Sequence, residues 1–432
     1  MSVKLYSKAE RINARNQKVE ELAGQPDWGS ESRLSMIQML IPLGLRAVVE
    51  ELQAEVRKLS GGTRHARTGS AIKRWGSNPG SVYVGDQKLR VNVPRIRDLE
   101  AGQEIRLKSY ERLQDPAHLD ELALSRVING ISQGKYERAA ESVPETFGIK
   151  KSTVSRKFIR ASAKRLEEFL NRDLSGHDIV AIFIDGKFFA ENEIVIALGV
   201  TISGEKVLLG FVETSTENHK VCRDFLNGLK SRGLHLDQEI LFIIDGGKGI
   251  HKGIREVMGD RAVIARCQWH KRENVLGYLA KERRSEWKRR LQAAYEQSSY
   301  ELAKKALGAL KPELREINLS AAGSLDEGLE ETLMLQRLGM FEKLGKSFKT
   351  TNCIENVNKS LAVYTDRVDR WQNSDQRQRW VATALLEIEP RLNAVMGYEH
   401  LNDLREAMKR FVVARRSAFH SVKTAMREFE TT

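Results

Sequence analysis

The stretch Ile179-Val180-Ala181-Ile182-Phe183-Ile184-Asp185-Gly186 sets six apolar residues in a row against an acid and a glycine. With no polar residue alternating into it, the run predicts a strand buried on both faces of a sheet. Ile240-Leu241-Phe242-Ile243-Ile244-Asp245-Gly246 repeats the pattern, its aspartate 60 residues after the first. Glu193–Thr201 and Val207–Val212 read as a second and third strand, Lys220–Lys230 as a helix and Val263–Ala265 as a last short strand. Three strands in succession, then helix and strand in alternation, predict an α/β domain with a mixed sheet.

Outward from this core the pattern changes. Residues Leu34–Leu59 carry apolar positions at helical spacing, as one helix or as two meeting at Pro42. Ser60–Gly80 reads as a Gly-, Arg- and Ser-rich loop, and Val82–Val84 and Leu89–Val93 as a hairpin turning at Gly85-Asp86. Leu119–Leu170 looks all-helical, with a bend at Val143-Pro144. There a turn at Gly148 gives way to a helix opening near Ser152, a plausible N-cap. A short turn followed by a helix with Ser152, Thr153, Ser155, Arg156 and Lys157 in its first turns is what helix-turn-helix binding of DNA needs. Beyond the core, Lys271–Gln336 shows helical spacing and no strand, and a helix carrying Ile354, Glu355, Val357, Asn358 and Leu361 follows Phe348–Asn352. The expected organisation is an N-terminal helical region (1–60), a basic loop and hairpin (61–115), a helix-turn-helix-like domain (116–175), the first part of the core (176–270), a helical insertion (271–347), and the rest of the core with C-terminal helices (348–432).

Composition narrows the function. Of 432 residues, 71 are Lys or Arg and 58 Asp or Glu, a formal charge of +13 that favours a polyanionic partner. Three cysteines exclude a disulfide-built scaffold. Met1–Ala14 has no secretory apolar stretch and Met39–Leu45 is too short to span a bilayer, so a cytoplasmic protein, associated with the nucleoid and with no membrane partner, is expected. The basic residues concentrate. Arg64, Arg67, Lys73, Arg74, Lys88, Arg90, Arg95 and Arg97 face a single acid, Asp86, which suits an arm tracking phosphates. Lys248, Lys271 and Arg272 are further candidates for the DNA backbone.

Asp185 and Asp245 each close an apolar run. Two carboxylates on neighbouring strand ends repel unless protonated or bridged by a cation, and hard oxygen donors suit Mg²⁺ or Mn²⁺. Two such ions can clamp the attacking and leaving oxygens of an in-line phosphoryl displacement. A site of this kind normally wants a third carboxylate, which periodicity does not select from 58 acids.

Four motifs in order carry a resemblance: Ile184-Asp185-Gly186, Ile244–Gly249, Cys267-Gln268-Trp269-His270-Lys271, and Thr350-Thr351-Asn352-Cys353-Ile354-Glu355-Asn356. From about Ile179 to Leu386 the chain resembles transposases of the Mutator superfamily, in their bacterial insertion-sequence branch. The resemblance implies a ribonuclease-H-like catalytic core interrupted by a helical insertion. It implies Asp185, Asp245 and Glu355 as catalytic, metal-binding carboxylates holding two Mg²⁺ ions, for which Mn²⁺ can substitute. It implies cleavage at element ends to a 3′-hydroxyl that is joined to target DNA, by a homodimer on double-stranded DNA with no small-molecule substrate. Cys267 and His270 match its Cys-x-x-His element. One thiol and one imidazole are half a zinc site, and neither Cys222 with His219 nor Cys353 supplies an evident second half. Cys267 is therefore expected to be structural, with His270 supporting the scissile phosphate, and Trp371 and Trp380 are expected in the core. A structure-selective nuclease on the same fold and a non-catalytic DNA-binding regulator are the rival readings.

Overall fold

The computed structural model describes residues 30–61, 71–84, 87–114, 124, 127–128, 151–189, 191–215, 218–366, 368 and 370–430. The chain divides into two compact units, Met1–Ser162 and Ala163–Thr432.

In the first unit α1 (Ser30–Ser60) is a single helix running through Pro42. It packs on an antiparallel sheet of β1 (Ile72–Val84), β2 (Gln87–Asp98) and β3 (Gln103–Ile105), followed by a short α2 (Lys108–Leu113). Val48, Leu52 and Val56 of α1 meet Val82, Val91 and Ile96 of the strands in a small apolar core. The hairpin is longer than its apolar residues predict. Ile72–Gly80, expected as loop, pairs with β2 across an irregularity between Arg74 and Ser77. Backbone hydrogen bonds extend this ladder where side chains bury little. The turn residues Gly85 and Asp86, and Arg64 and Arg67, lie outside the described residues.

α3 (Lys151–Asn171) is the helix read as the second of a helix-turn-helix; residues 129–150, including the expected turn and Pro144, lie outside the described residues.

The second unit is built on a five-stranded sheet of β4 (Ile179–Phe189), β5 (Asn192–Thr201), β6 (Lys206–Thr214), β7 (Leu241–Ile244) and β8 (Val263–Arg266). The strand order is β6-β5-β4-β7-β8. The first three strands are antiparallel, and β4-β7 and β7-β8 are parallel. This is the mixed sheet expected from the apolar runs, with every residue of Ile179–Ile184 at or below 2% exposure. One face is covered by α4 (His219–Ser231) and α5 (Lys248–Met258), through Cys222, Leu226, Ile250 and Ile254 against Ile182, Ile184 and Phe242. α6 (Gln268–Gly277) follows β8. The helical insertion then runs through α7 (Lys281–Tyr295), α8 (Tyr300–Ile317), α9 (Leu319–Asp326), α10 (Leu329–Thr332), α11 (Met334–Arg337) and α12 (Phe341–Phe348). Its core gathers around Trp287, Leu291 and Leu307. The chain returns through α13 (Asn352–Thr365) and α14 (Ser374–Ile388), and α13 packs on β4 over the second face of the sheet. Phe183 and Phe348 meet there with ring centroids 5.7 Å apart. Trp371 packs edge-on against Phe189 and Trp380, as expected of core aromatics. α15 (Leu401–Glu430) completes the described chain. Among the described residues no helix is long and apolar enough to cross a membrane.

One boundary differs from the expected one in a way that matters. Asp185 does not end its strand: β4 continues to Phe189 because β5 keeps pairing with it, Asp185 opposite Ile196 and Phe189 opposite Asn192. On the other side, the parallel partner β7 stops at Ile244 opposite Ile184. Asp185 therefore stands in a strand with one neighbour missing, and the edge so opened faces the residues after Ile244.

Candidate active site

The register Ile184↔Ile244 places Asp185 and Asp245 side by side, each one residue beyond the last paired position. Asp245 is held by its own loop, its Oδ1 accepting the Gly247 backbone N–H at 2.9 Å. That loop needs Gly246, which has φ +114° and whose missing Cβ leaves room for the Arg266 guanidinium. Arg266 in turn donates to Gly246 O and to Glu327 O, each at 3.3 Å, tying the Asp245 loop to the end of the helical insertion.

Glu355 reaches the same place from α13. Thr351 precedes this helix, but its side chain makes no capping bond to the backbone. Its hydroxyl donates instead to Glu355 Oε1 at 2.7 Å. Thr351 Oγ1 also lies 3.2 Å from His270 Nδ1 and 3.4 Å from Cys267 Sγ. A hydroxyl has one proton and two lone pairs. With the proton on the short bond to Glu355, His270 Nδ1–H donates to Thr351, giving a chain from imidazole through hydroxyl to carboxylate. One turn further on, Asn358 Nδ2 donates to Asp185 Oδ2 at 2.8 Å, and Lys187 Nζ donates to the Asn358 carbonyl at 3.0 Å. Helix α13 is thus locked onto both Asp185 and the Cys-x-x-His segment. A leftover acceptor, Asn358 Oδ1, is buried without a partner among the described residues.

The electrostatics follow from this crowding. Burial, then the Asp245 charge, pushes the Asp185 carboxyl up to about 7, with Glu355 adding to the rise while His270 and the Asn358 hydrogen bond oppose it. His270 is raised to about 9 by its hydrogen bond to Cys267, with the charges of Cys267, Asp245 and Glu355 adding. Burial works against ionisation of the Cys267 thiol, but the hydrogen bonds from the His270 side chain and backbone hold it below its usual range. Cys267 also accepts the His270 backbone N–H at 3.5 Å as the first residue before α6.

Asp185, Asp245, Glu355 and the stranded Asn358 Oδ1 are all hard oxygens, which fits Mg²⁺ or Mn²⁺ with several waters retained. Cys267, His270 and Glu355 have ligand atoms within 4.8 Å of one another, so the third donor beside the thiol and imidazole is a carboxylate. Among the described residues no other trio of His, Cys and acids draws so close, the three carboxylates included.

The proposed DNA contacts fare unequally. Lys73, Lys88, Arg90, Arg156 and Lys248 are exposed, Lys248 at the start of α5 beside the Asp245 loop. Arg74 and Ser155 are half-buried, and Arg95 is held bidentately by Glu104 at 2.7 and 2.8 Å. Ser152 and Thr153 lie on α3, where only the backbone is described. Two of these residues are interior. Lys157 is buried, its ammonium 5.2 Å from the Tyr83 ring centroid. Lys271 is fully buried, donating to the Ser324 carbonyl at 2.7 Å with Glu327 at 3.6 Å, so it joins α6 to the insertion. Arg272 is largely covered too, bonded to Gln292 at 3.3 Å. A Lys-Arg pair after a Cys-x-x-His element reads as basic surface until the packing of the following helix is known. Sequence reasoning missed Thr351, Asn358, Lys187 and Arg266. Thr351 stood inside a quoted motif and Asn358 lay one turn after Glu355 on the same face, which was the available signal.

The chain is thus a mixed α/β protein whose central strand carries Asp185 beside Asp245, with the helix of Glu355 packed on that strand after a run of helices. Residues 28–392 match the family described as Transposase, Mutator family, and the chain belongs to that family. It is 26% identical over 389 residues to the transposase for insertion sequence element ISRM5 of Rhizobium meliloti, covering 85% of this chain and 93% of that one. It is 25% identical over 319 residues to the transposase for insertion sequence element IS256 in transposon Tn4001 of Staphylococcus aureus, covering 69% and 77%. A shorter match, 31% over 164 residues, joins 36% of it to 49% of the transposase for insertion sequence element IS6120 of Mycolicibacterium smegmatis.

Proposed function

We propose that this transposase binds the terminal inverted repeats of an insertion sequence, cleaves at the element ends to expose a 3′-hydroxyl, and joins that hydroxyl to target DNA. The observation that carries the reading is the convergence of Asp185 and Asp245 on neighbouring strands with a Glu355 fixed through Thr351 and a helix fixed through Asn358. The strand order, three antiparallel strands followed by two parallel ones, supports a ribonuclease-H-like core. Asp185, Asp245 and Glu355 would hold two Mg²⁺ ions, or Mn²⁺ in their place. When bound, these ions supply charge neutralisation at the scissile phosphate and a polarised oxygen nucleophile.

The chain's own residues do the positioning. β4 and β7 fix the two aspartates rigidly, and the Thr351 hydroxyl holds one Glu355 oxygen so that the other stays directed away from it. His270, with its proton retained, places positive charge beside the carboxylates and a donor near the phosphate. Lys248 and the exposed basic residues of the β1–β2 hairpin would hold the DNA backbone, and α3 would contribute to recognition of the repeats. Bringing two ends together requires two copies, so a homodimer on DNA is proposed.

Incubating the protein with a labelled terminal-repeat duplex, a target plasmid and Mg²⁺ tests the reading. Joined products are expected, whereas cleavage without joining would favour a structure-selective nuclease.

A further inference from the structure

Asn358 is buried, at 7% exposure. It stands three residues after Glu355 on α13, so both side chains leave one face of the helix. Its Nδ2 is fixed on Asp185 Oδ2 at 2.8 Å, while its Oδ1 is buried with no hydrogen-bond partner among the described residues. Buried acceptors without partners are rare, and each calls for an explanation. Packing does not supply one, since an apolar side chain of the same shape would fill the space without stranding an acceptor. The tie to Asp185 explains only the Nδ2 end. Both atoms belong to one planar amide, so fixing Nδ2 on Asp185 holds Oδ1 within about 5 Å of that carboxylate oxygen. A cation on Asp185 that keeps part of its hydration shell carries water protons in that space.

We infer that Asn358 is a positioning residue of the site: its Nδ2 holds Asp185 in the orientation a divalent cation needs, and its Oδ1 accepts a hydrogen bond from a water on that cation. The inference rests on the reading that these carboxylates bind divalent cations. Asn358 then links the two halves of the site. The helix that carries Glu355 also orients Asp185, and Lys187 anchors the same turn by donating to the Asn358 carbonyl.

The test uses the full chain with Asn358→Leu and Asn358→Ser. Three quantities are measured: the melting temperature without metal, its rise on adding Mn²⁺, and the Mn²⁺ concentration giving half-maximal cleavage of a duplex carrying the repeats that flank the gene. Both variants are expected to melt cooperatively without metal, to lose most of the Mn²⁺-induced rise, and to need roughly tenfold or more Mn²⁺. Saturating Mn²⁺ should restore a substantial part of the cleavage. An unchanged Mn²⁺ requirement with an unchanged Mn²⁺-induced rise would overturn the inference. So would loss of the fold in both variants, which would assign Asn358 a purely structural role. If the unaltered protein cleaves without divalent cation and its melting ignores Mn²⁺, the underlying metal reading fails instead.

Discussion

Asp185 is crowded by Asp245, Glu355 and apolar strands, and this sets how the metal-free protein responds to pH. A carboxyl whose folded pKa is raised to about 7 binds a proton that the unfolded chain has already lost between about pH 4 and 7. Stability contributed by this group therefore falls as pH rises through that window. Asp185→Asn should raise the metal-free melting temperature at pH 8 by on the order of a few degrees and flatten its decline between pH 5 and 7. Thermal melts in a chelating buffer check this, and a variant that melts lower at pH 8 counts against the assigned environment. Thr351 is fully buried, and its hydroxyl orients Glu355 without capping its helix. Thr351→Val keeps the shape and removes that donor. It should cut end cleavage by about 10–100-fold while leaving affinity for the repeat duplex unchanged. A band-shift titration beside the cleavage assay separates the two effects.

At the scale of elements, the apolar runs Ile179–Ile184 and Leu241–Ile244 were legible because a doubly covered sheet leaves no polar alternation to confuse the reading. The three further strands were legible for the same reason, and the insertion from its unbroken helical spacing. The end of β4 was not legible. Its continuation through Asp185 to Phe189 depends on pairing with β5, a property of the partner strand and invisible in the run itself. Nor was the strand character of Ile72–Gly80, where the ladder and not side-chain burial sustains the structure. Within the site, Asp185 and Asp245 showed themselves by closing apolar runs and Glu355 only by resemblance, while the roles of Thr351 and Asn358 had only a motif and a helix face to mark them, because hydrogen bonding between elements leaves no period. Two variants probe these elements. Phe183→Ala opens a cavity between β4 and α12 and should lower stability by about 3–5 kcal/mol, read by denaturant unfolding. Gly246→Ala puts a Cβ where Arg266 lies, on backbone with φ +114°, and so displaces the Asp245 loop. End cleavage should fall at least tenfold, with repeat binding retained; full cleavage would show that the loop tolerates the shift.

For the whole molecule, the chain carries a formal excess of 13 positive charges, while its candidate site is acidic. Of the three acids Asp185 is buried, whereas Asp245 and Glu355 are half-buried. Burial sorts the basic residues further, since Lys157 and Lys271 are interior and serve packing, whereas Lys88 and Arg90 stand exposed on the hairpin. Replacing Lys88 and Arg90 together by Ala should weaken duplex binding and reduce the slope of log affinity against log salt by about 1–2. An unchanged slope would remove the hairpin from the DNA interface.

In the proposed function Asp185, Asp245 and Glu355 act together on DNA held by the rest of the chain. The direct measurement is Glu355→Gln on a duplex carrying the flanking repeats, with binding and Mg²⁺-dependent cleavage followed in the same samples. Binding within about twofold of the unaltered protein and cleavage lowered by a factor of 10³ or more is the predicted result. Cleavage retained at full rate, or lost only because the DNA is no longer bound, would contradict it.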